Sequence, residues 1–235
     1  MYIIEGNIGA GKSTFLKLIE RKIPFITAVT EPVASWDSHE HGSSLLQNFI
    51  EDSPRWSYTM ETFTMICRVK EHVHDQNRPE PCVVVERSIY SGHYVFSVNG
   101  YKQGFMTEKE WHIYQHYFNY LIPGYCKPPQ GFIYLRTDPQ IAFERIKKRS
   151  RSSEGSISLE YLQQVHDRHE DFLIKKQDLF DDIKNVPVLV LDCDREFEED
   201  SEQSEKLTVA VAEFIAQHSP PAAHLGVGVY DDCTA

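Results

Sequence analysis

The residues Gly6-Asn7-Ile8-Gly9-Ala10-Gly11-Lys12-Ser13-Thr14 follow the order G-x-x-x-x-G-K-[ST], the spacing of a phosphate-binding loop. Glycines at these places let successive backbone N–H groups point at an anion with no Cβ in the way. Lys12 supplies a mobile positive charge for terminal phosphates, and Ser13 a hydroxyl for Mg²⁺. Three further groups suit phosphoryl chemistry. Glu31, fixed before Pro32, can accept the proton of an attacking hydroxyl. In Glu86-Arg87-Ser88 the carboxylate suits a Mg²⁺ shell, and the planar guanidinium suits phosphoryl oxygens. Arg145, Arg149 and Arg151 form a short basic segment, with the step from Arg145 to Arg149 placing both on one helix face. Arginines that close over a developing phosphoryl charge would make that segment a lid.

These groups need elements to hold them. Tyr2-Ile3-Ile4 is an apolar run entering the loop, and Phe15, Leu16, Leu18 and Ile19 give a helical pattern leaving it, with the helix's positive end on the anion. Further strands are predicted at 25–30, 82–85, 131–135 and 186–191, and helices at 45–50, 56–75, 107–122, 158–184 and 204–217. Thr107 with Glu110 three residues on is a capping signal. Five short apolar strands separated by helices predict an α/β fold with an open, five-stranded parallel sheet flanked by helices. In such sheets ligands bind at the carboxyl ends of the strands, where Gly6, Glu31, Glu86-Arg87 and the stretch from Asp192 all fall. One domain over 1–217 is expected, with a lid at about 145–157. Residues 218–235, rich in proline, glycine and small residues without periodicity, read as a disordered tail.

The chain of 235 residues carries 24 Lys+Arg against 35 Asp+Glu, a net charge of −11. Such a surface repels polynucleotides, so no nucleic-acid partner is expected. No apolar run approaches the roughly 20 residues of a membrane span, so no membrane partner is expected either. Five scattered cysteines without a C-x-x-C pair predict reduced thiols and a cytoplasmic location. The histidine pairs His39/His41, His72/His74 and His166/His169 lack zinc-site context and read as structural.

In these motifs the chain resembles the deoxyribonucleoside kinases of the deoxycytidine, deoxyguanosine and mitochondrial-thymidine kinase type, and in its compact form their viral members. The resemblance rests on the phosphate loop, Glu31-Pro32-Val33 with Trp36, and Leu45-Leu46-Gln47 to Trp56. It continues in Glu86-Arg87-Ser88-Ile89-Tyr90-Ser91, Arg145 to Arg151, and Leu159-Glu160-Tyr161-Leu162. It implies a P-loop kinase fold and transfer of the ATP γ-phosphate to a deoxynucleoside 5′-hydroxyl, with Mg²⁺, in a homodimer. By resemblance Glu31 is the base, Arg87 contacts the hydroxyl, Glu86 supports Mg²⁺, Glu154 binds the 3′-hydroxyl, and Arg145, Arg149 and Arg151 clamp phosphates. Trp36 lies with the substrate, and the segment at Glu196-Phe197 holds the ATP base through its backbone.

Three positions depart from the family pattern. Glu61 replaces a base-reading glutamine, so an acceptor-only group suits N–H-rich base edges such as that of guanine. Gly92 replaces an aspartate that partners Arg68, so Glu61 is expected to neutralise Arg68 instead. Ile50 replaces a tyrosine at the 3′-hydroxyl. Two alternatives stand beside this reading: a nucleoside monophosphate kinase of thymidylate type, and a non-catalytic nucleotide-binding module.

Overall fold

The computed structural model describes residues 1–31, 44–149 and 157–219. The expected sites at Trp36, Arg151 and Glu154, and the tail from residue 220, lie outside the described residues. Five parallel strands form the sheet: β1 (Tyr2–Gly6), β2 (Thr27–Val29), β3 (Val83–Glu86), β4 (Gly131–Arg136) and β5 (Val188–Asp192), in the order β2-β3-β1-β4-β5. The central strand β1 is buried throughout and pairs Ile4 with Glu86 on one side and Ile133 on the other. Its apolar run suits a strand covered on both faces.

One face of the sheet is covered by α1 (Lys12–Lys22) and α10 (Ser201–His218). There Phe15, Leu16, Ile19, Leu207 and Val211 pack against Tyr2, Ile4, Val84 and Ile133. The other face carries α3 (Ser53–Asp75), α6 (Glu108–Tyr125) and α8 (Leu159–His169), with Met65, Phe118 and Val165 against Ile3, Val85 and Phe132. Between α1 and α3 lies the short α2 (Leu45–Glu51). A continuous helical run leaves β3 as α4 (Ile89–Ser91), a π-helical stretch Gly92–Ser97, and α5 (Val98–Lys102). The arginine helix α7 (Pro139–Arg149) follows β4, and a single turn, α9 (Asp181–Lys184), precedes β5.

The capping box at Thr107 forms: the Glu110 N–H donates to Thr107 Oγ1, and the Thr107 N–H to Glu110 Oε2 at 2.8 Å. Four expectations shift. The 25–30 strand shortens to β2 because Ile23 to Ile26 closes a turn that leaves Phe25 48% exposed. The fifth strand starts at Val188, since the Val186 N–H is spent on Ile183. Helix α10 begins at Ser201 because the Asp200 side chain caps it. The predicted single helix at 158–184 is broken. It passes from α8 into a π-helical stretch at Glu170–Ile174, and Lys176 and Asp178 then take φ of 53° each, which ends regular helix. The helical run over 89–102 has no expected counterpart.

Candidate active site

The phosphate loop closes the gap between β1 and α1 as its sequence requires. Gly9 and Gly11 have φ of 81° and 87°. A Cβ on Gly9 would lie 2.5 Å from the Ala142 carbonyl, and one on Gly11 2.8 Å from the Phe197 ring. Both need glycine for conformation and for space. Lys12 is buried, and its Nζ donates to the Gly6 and Asn7 carbonyls at 3.0 and 2.8 Å. Burial, then the Arg87 charge, pull its pKa down to about 7 against the opposing pull of Glu86, Glu31 and Glu5. Asn7 donates its amide N–H to the Leu162 carbonyl at 2.9 Å and so ties the loop to α8.

Parallel pairing brings the ends of β2 and β3 beside this loop. Ser13 Oγ donates to Glu86 Oε1 at 2.8 Å, so the two expected metal ligands are in contact. Arg87 takes a left-handed φ of 62°, uncommon for a residue with a side chain. Its Nε lies 3.3 Å from Glu31 Oε2, and its guanidinium sits 4.7 Å over the Phe96 ring. The other oxygen, Glu31 Oε1, accepts from Arg68 Nη2 at 2.8 Å. Burial alone would raise the Glu31 pKa. The charges of Arg68 and Arg87, the Arg68 hydrogen bond and Lys12 outweigh it and hold Glu31 below the ordinary carboxylate range.

A cavity of about 710 Å³ opens in front of these groups. Gly9, Gly11, Lys12 and Ser13 form its floor, while Glu31, Arg87 and Arg149 stand beside them. Ile50, Glu61, Arg68, Phe96 and Tyr161 line the remainder. The phosphate-loop residues offer an anion cradle, and Phe96, which carries the Arg87 guanidinium on its ring, adds an apolar wall.

The expected Glu61–Arg68 pair does not form. Arg68 spends its hydrogen bond on Glu31, and Gly92 permits this placement, because a Cβ there would sit 2.8 Å from Arg68 Nη1. Glu61 Oε2 instead accepts from Ser97 Oγ at 2.6 Å, and Ser97 Oγ also lies 2.9 Å from the Tyr114 hydroxyl. Burial raises the Glu61 pKa, against the Ser97 hydrogen bond and the more distant Arg68 charge.

The structure also places Arg145 and the Glu196-Phe197 segment. Arg145 does not line the cavity; its Nη2 donates to the Asp194 and Arg195 carbonyls at 3.0 and 3.3 Å, anchoring the loop after β5. Phe197 is buried edge-on to Phe15, with ring centroids 5.6 Å apart, and supports Gly11 from behind. The exposed Glu196 carboxylate accepts from the N–H groups of Glu198, Glu199 and Asp200. Of the histidine pairs, His39/His41 lies outside the described residues, while His72 Nε2 meets the Lys127 carbonyl at 2.9 Å and His169 Nδ1 the Val165 carbonyl at 2.8 Å.

Sequence reasoning missed Glu5, Phe96, Ser97 and Tyr114 as parts of the site or its support, and named Ser88 and Tyr161 only within motifs, without a role. Glu5 alone carried a local signal, a charge inside an apolar strand run.

No described helix is long and apolar enough to cross a membrane. The deoxynucleoside kinase family profile matches residues 2–216. The chain is 35% identical to a mitochondrial deoxyguanosine kinase of Xenopus laevis over 91% of its own length and 88% of the relative's. It is 34% identical to human deoxycytidine kinase, covering 91% and 90% of the two chains. A fowlpox virus protein named as a probable deoxycytidine kinase is 31% identical, with 91% and 87% covered. This chain therefore belongs to the deoxynucleoside kinase family.

Proposed function

We propose that this protein transfers the γ-phosphate of ATP to the 5′-hydroxyl of a deoxyribonucleoside, with Glu31 as the general base. The observation that carries this reading is the clamped Glu31 carboxylate, between Arg68 at 2.8 Å and Arg87 at 3.3 Å, at the mouth of the phosphate loop. The nucleoside hydroxyl gives its proton to Glu31 as its oxygen attacks the γ-phosphorus, and the bond from that phosphorus to the β,γ-bridging oxygen breaks, releasing ADP. Lys12, Arg87 and Arg149 supply the positive charge that phosphoryl transfer needs, since catalysis there is mainly positioning and electrostatics. Mg²⁺ fits the contacting Ser13 hydroxyl and Glu86 carboxylate, hard oxygen donors beside a phosphate site. Bound there it would neutralise phosphate charge.

In the nucleoside pocket Glu61 and Arg68 face the base. Its hydrogen bond from Ser97 leaves Glu61 an acceptor toward the cavity, which favours bases with N–H groups on their reading edge. The free thiols of Cys67, Cys82, Cys126 and Cys193 agree with a cytoplasmic site of action.

The family resemblance also supports a homodimer. Phe63 and Ile66 on α3 are 43% and 53% exposed, and Tyr117 and Tyr120 on the adjoining α6 are 48% and 69% exposed. These form an apolar face that a second copy would cover. The test of the function is parallel ATP-dependent phosphorylation of thymidine, deoxycytidine, deoxyguanosine and deoxyadenosine, with dTMP included. Transfer to a nucleoside supports the proposal, whereas transfer to dTMP alone points to a monophosphate kinase.

A further inference from the structure

We propose that Glu5 is a positioning residue for phosphoryl transfer, holding the Arg87 elbow in its reactive shape through the hydroxyl of Ser88. The inference rests on the assignment of Arg87 to the phosphoryl-transfer site. Glu5 has no exposure and does not line the cavity, so it cannot touch a substrate. A carboxylate in the central strand of a sheet is costly unless a specific structural need retains it. Its contacts show what that need is.

The chain must turn sharply between β3, which places Glu86 on Ser13, and α4, and Arg87 makes the turn with φ of 62°. A left-handed residue with a side chain persists only where its surroundings fix it. Beyond the side-chain contacts of Arg87 with Glu31 and Phe96, two fixings come from consecutive residues of β1. The Arg87 N–H donates to the Ile4 carbonyl at 2.9 Å. The Ser88 hydroxyl donates to Glu5 Oε1 at 2.5 Å. That same Ser88 oxygen accepts the N–H groups of Tyr90 and Ser91, each at 3.1 Å, and so caps the helical run that follows.

Ser88 Oγ therefore has its single proton committed to Glu5 and its lone pairs committed to the helix. Without an acceptor at residue 5 the proton must go elsewhere, and the cap and the elbow lose their reference to β1. Glu5 Oε2 makes no hydrogen bond among the described residues, and the Ser91 hydroxyl near the carboxylate is directed to the Ser88 carbonyl at 3.3 Å, so the Ser88 bond is the main contact through which Glu5 acts. Burial raises the Glu5 pKa to about 6, opposed by the Ser88 and Ser91 hydroxyls and by the Arg87 and Lys12 charges.

The test is a double-mutant cycle on the full-length protein, reading kcat at saturating ATP and nucleoside, ATP affinity by equilibrium dialysis, and Tm. Glu5→Ala is expected to lower kcat about 100-fold, the scale on which small misplacements act, while ATP affinity changes less than about 3-fold. Ser88→Ala is expected to lower kcat about 10- to 100-fold, and the double variant to lose no more than Glu5→Ala alone, because the two act as one unit. Glu5→Gln, which keeps an acceptor for Ser88, and Ser88→Thr, which keeps the hydroxyl, should both return kcat to within about five-fold of wild type. If Glu5→Ala does not fold, the comparison of Ser88→Ala with Ser88→Thr and Glu5→Gln decides the matter. Multiplying losses in the cycle, a folded Ser88→Ala with full kcat, or failure of both conservative variants to rescue would overturn the proposal. An inactive wild-type protein would instead overturn the kinase reading on which it rests.

Discussion

Arg68 Nη2 lies 2.8 Å from Glu31 Oε1, so a residue expected to read the base is bonded to the residue expected to take the proton. Both side chains are 13% exposed, which makes this a largely desolvated pair whose loss on one side leaves the other uncompensated. Under the proposed function, the nucleoside pocket and the phosphoryl-transfer site thus share a side chain. Two guanidiniums on one carboxylate also keep Glu31 ionised and in place, at the expense of its basicity.

The acid limb of the rate profile should reflect this clamp. Glu31 sits below the ordinary carboxylate range, so it remains a competent base until the pH falls beneath that range. Replacing Arg68 by glutamine removes the larger opposing charge, raises the Glu31 pKa, and moves the acid limb of kcat/KM to higher pH. An unmoved limb in that variant would show that Arg68 does not govern the base.

Gly92 offers a second handle on the same pair. Gly92→Asp places a side chain where a Cβ alone would approach Arg68 Nη1 to 2.8 Å, and adds a carboxylate that competes with Glu31 for Arg68. The expected result is a changed ranking of the four deoxynucleosides together with a raised acid limb. Competition assays with mixed nucleosides measure the first effect, and pH–rate profiles the second.

Lys12 predicts a basic limb in one kinetic constant. With its pKa near 7 in the free enzyme, Lys12 loses its proton as pH rises through neutrality, so kcat/KM for ATP should fall there. Bound nucleotide anions favour the charged form, so kcat at saturating ATP should hold to higher pH. The two profiles, measured over the same buffers, should separate above pH 7, and coincident profiles would contradict the assignment.

Phe197 tests the support of the loop. It is buried against Phe15 and Gly11, and Phe197→Ala should cost about 3–5 kcal/mol of stability, as large aromatic deletions in cores do. Chemical denaturation measures the loss, and a rise in the KM for ATP should accompany it.

What the sequence made legible was local. Gly6 to Ser13, the Thr107–Glu110 capping box and the apolar runs of β1, β3 and β4 each carry their meaning within a few residues and took the expected form, whereas β2 and β5 came out shorter than their apolar runs. The position of Glu31 and Glu86 beside the loop followed from the parallel order of the strands. The partner of Arg68 did not, because Glu31, Glu61 and residue 92 all lie within reach and packing alone chooses among them. Ser97, which reaches Glu61, ends the π-helical stretch Gly92–Ser97, a register that no apolar period announces. Arg145 belonged by spacing with Arg149, yet the loop after β5 offered it two carbonyls and took it out of the cavity.

The most direct measurement compares wild type with Glu31→Gln in ATP-dependent phosphorylation of the four deoxynucleosides, with ATP affinity measured alongside. The account predicts 5′-phosphorylation by wild type, a loss of about 10²- to 10⁴-fold in kcat in the variant, and nearly unchanged ATP binding. Equal turnover by the two proteins would contradict the role of Glu31, and no transfer by wild type to any nucleoside would contradict the account as a whole.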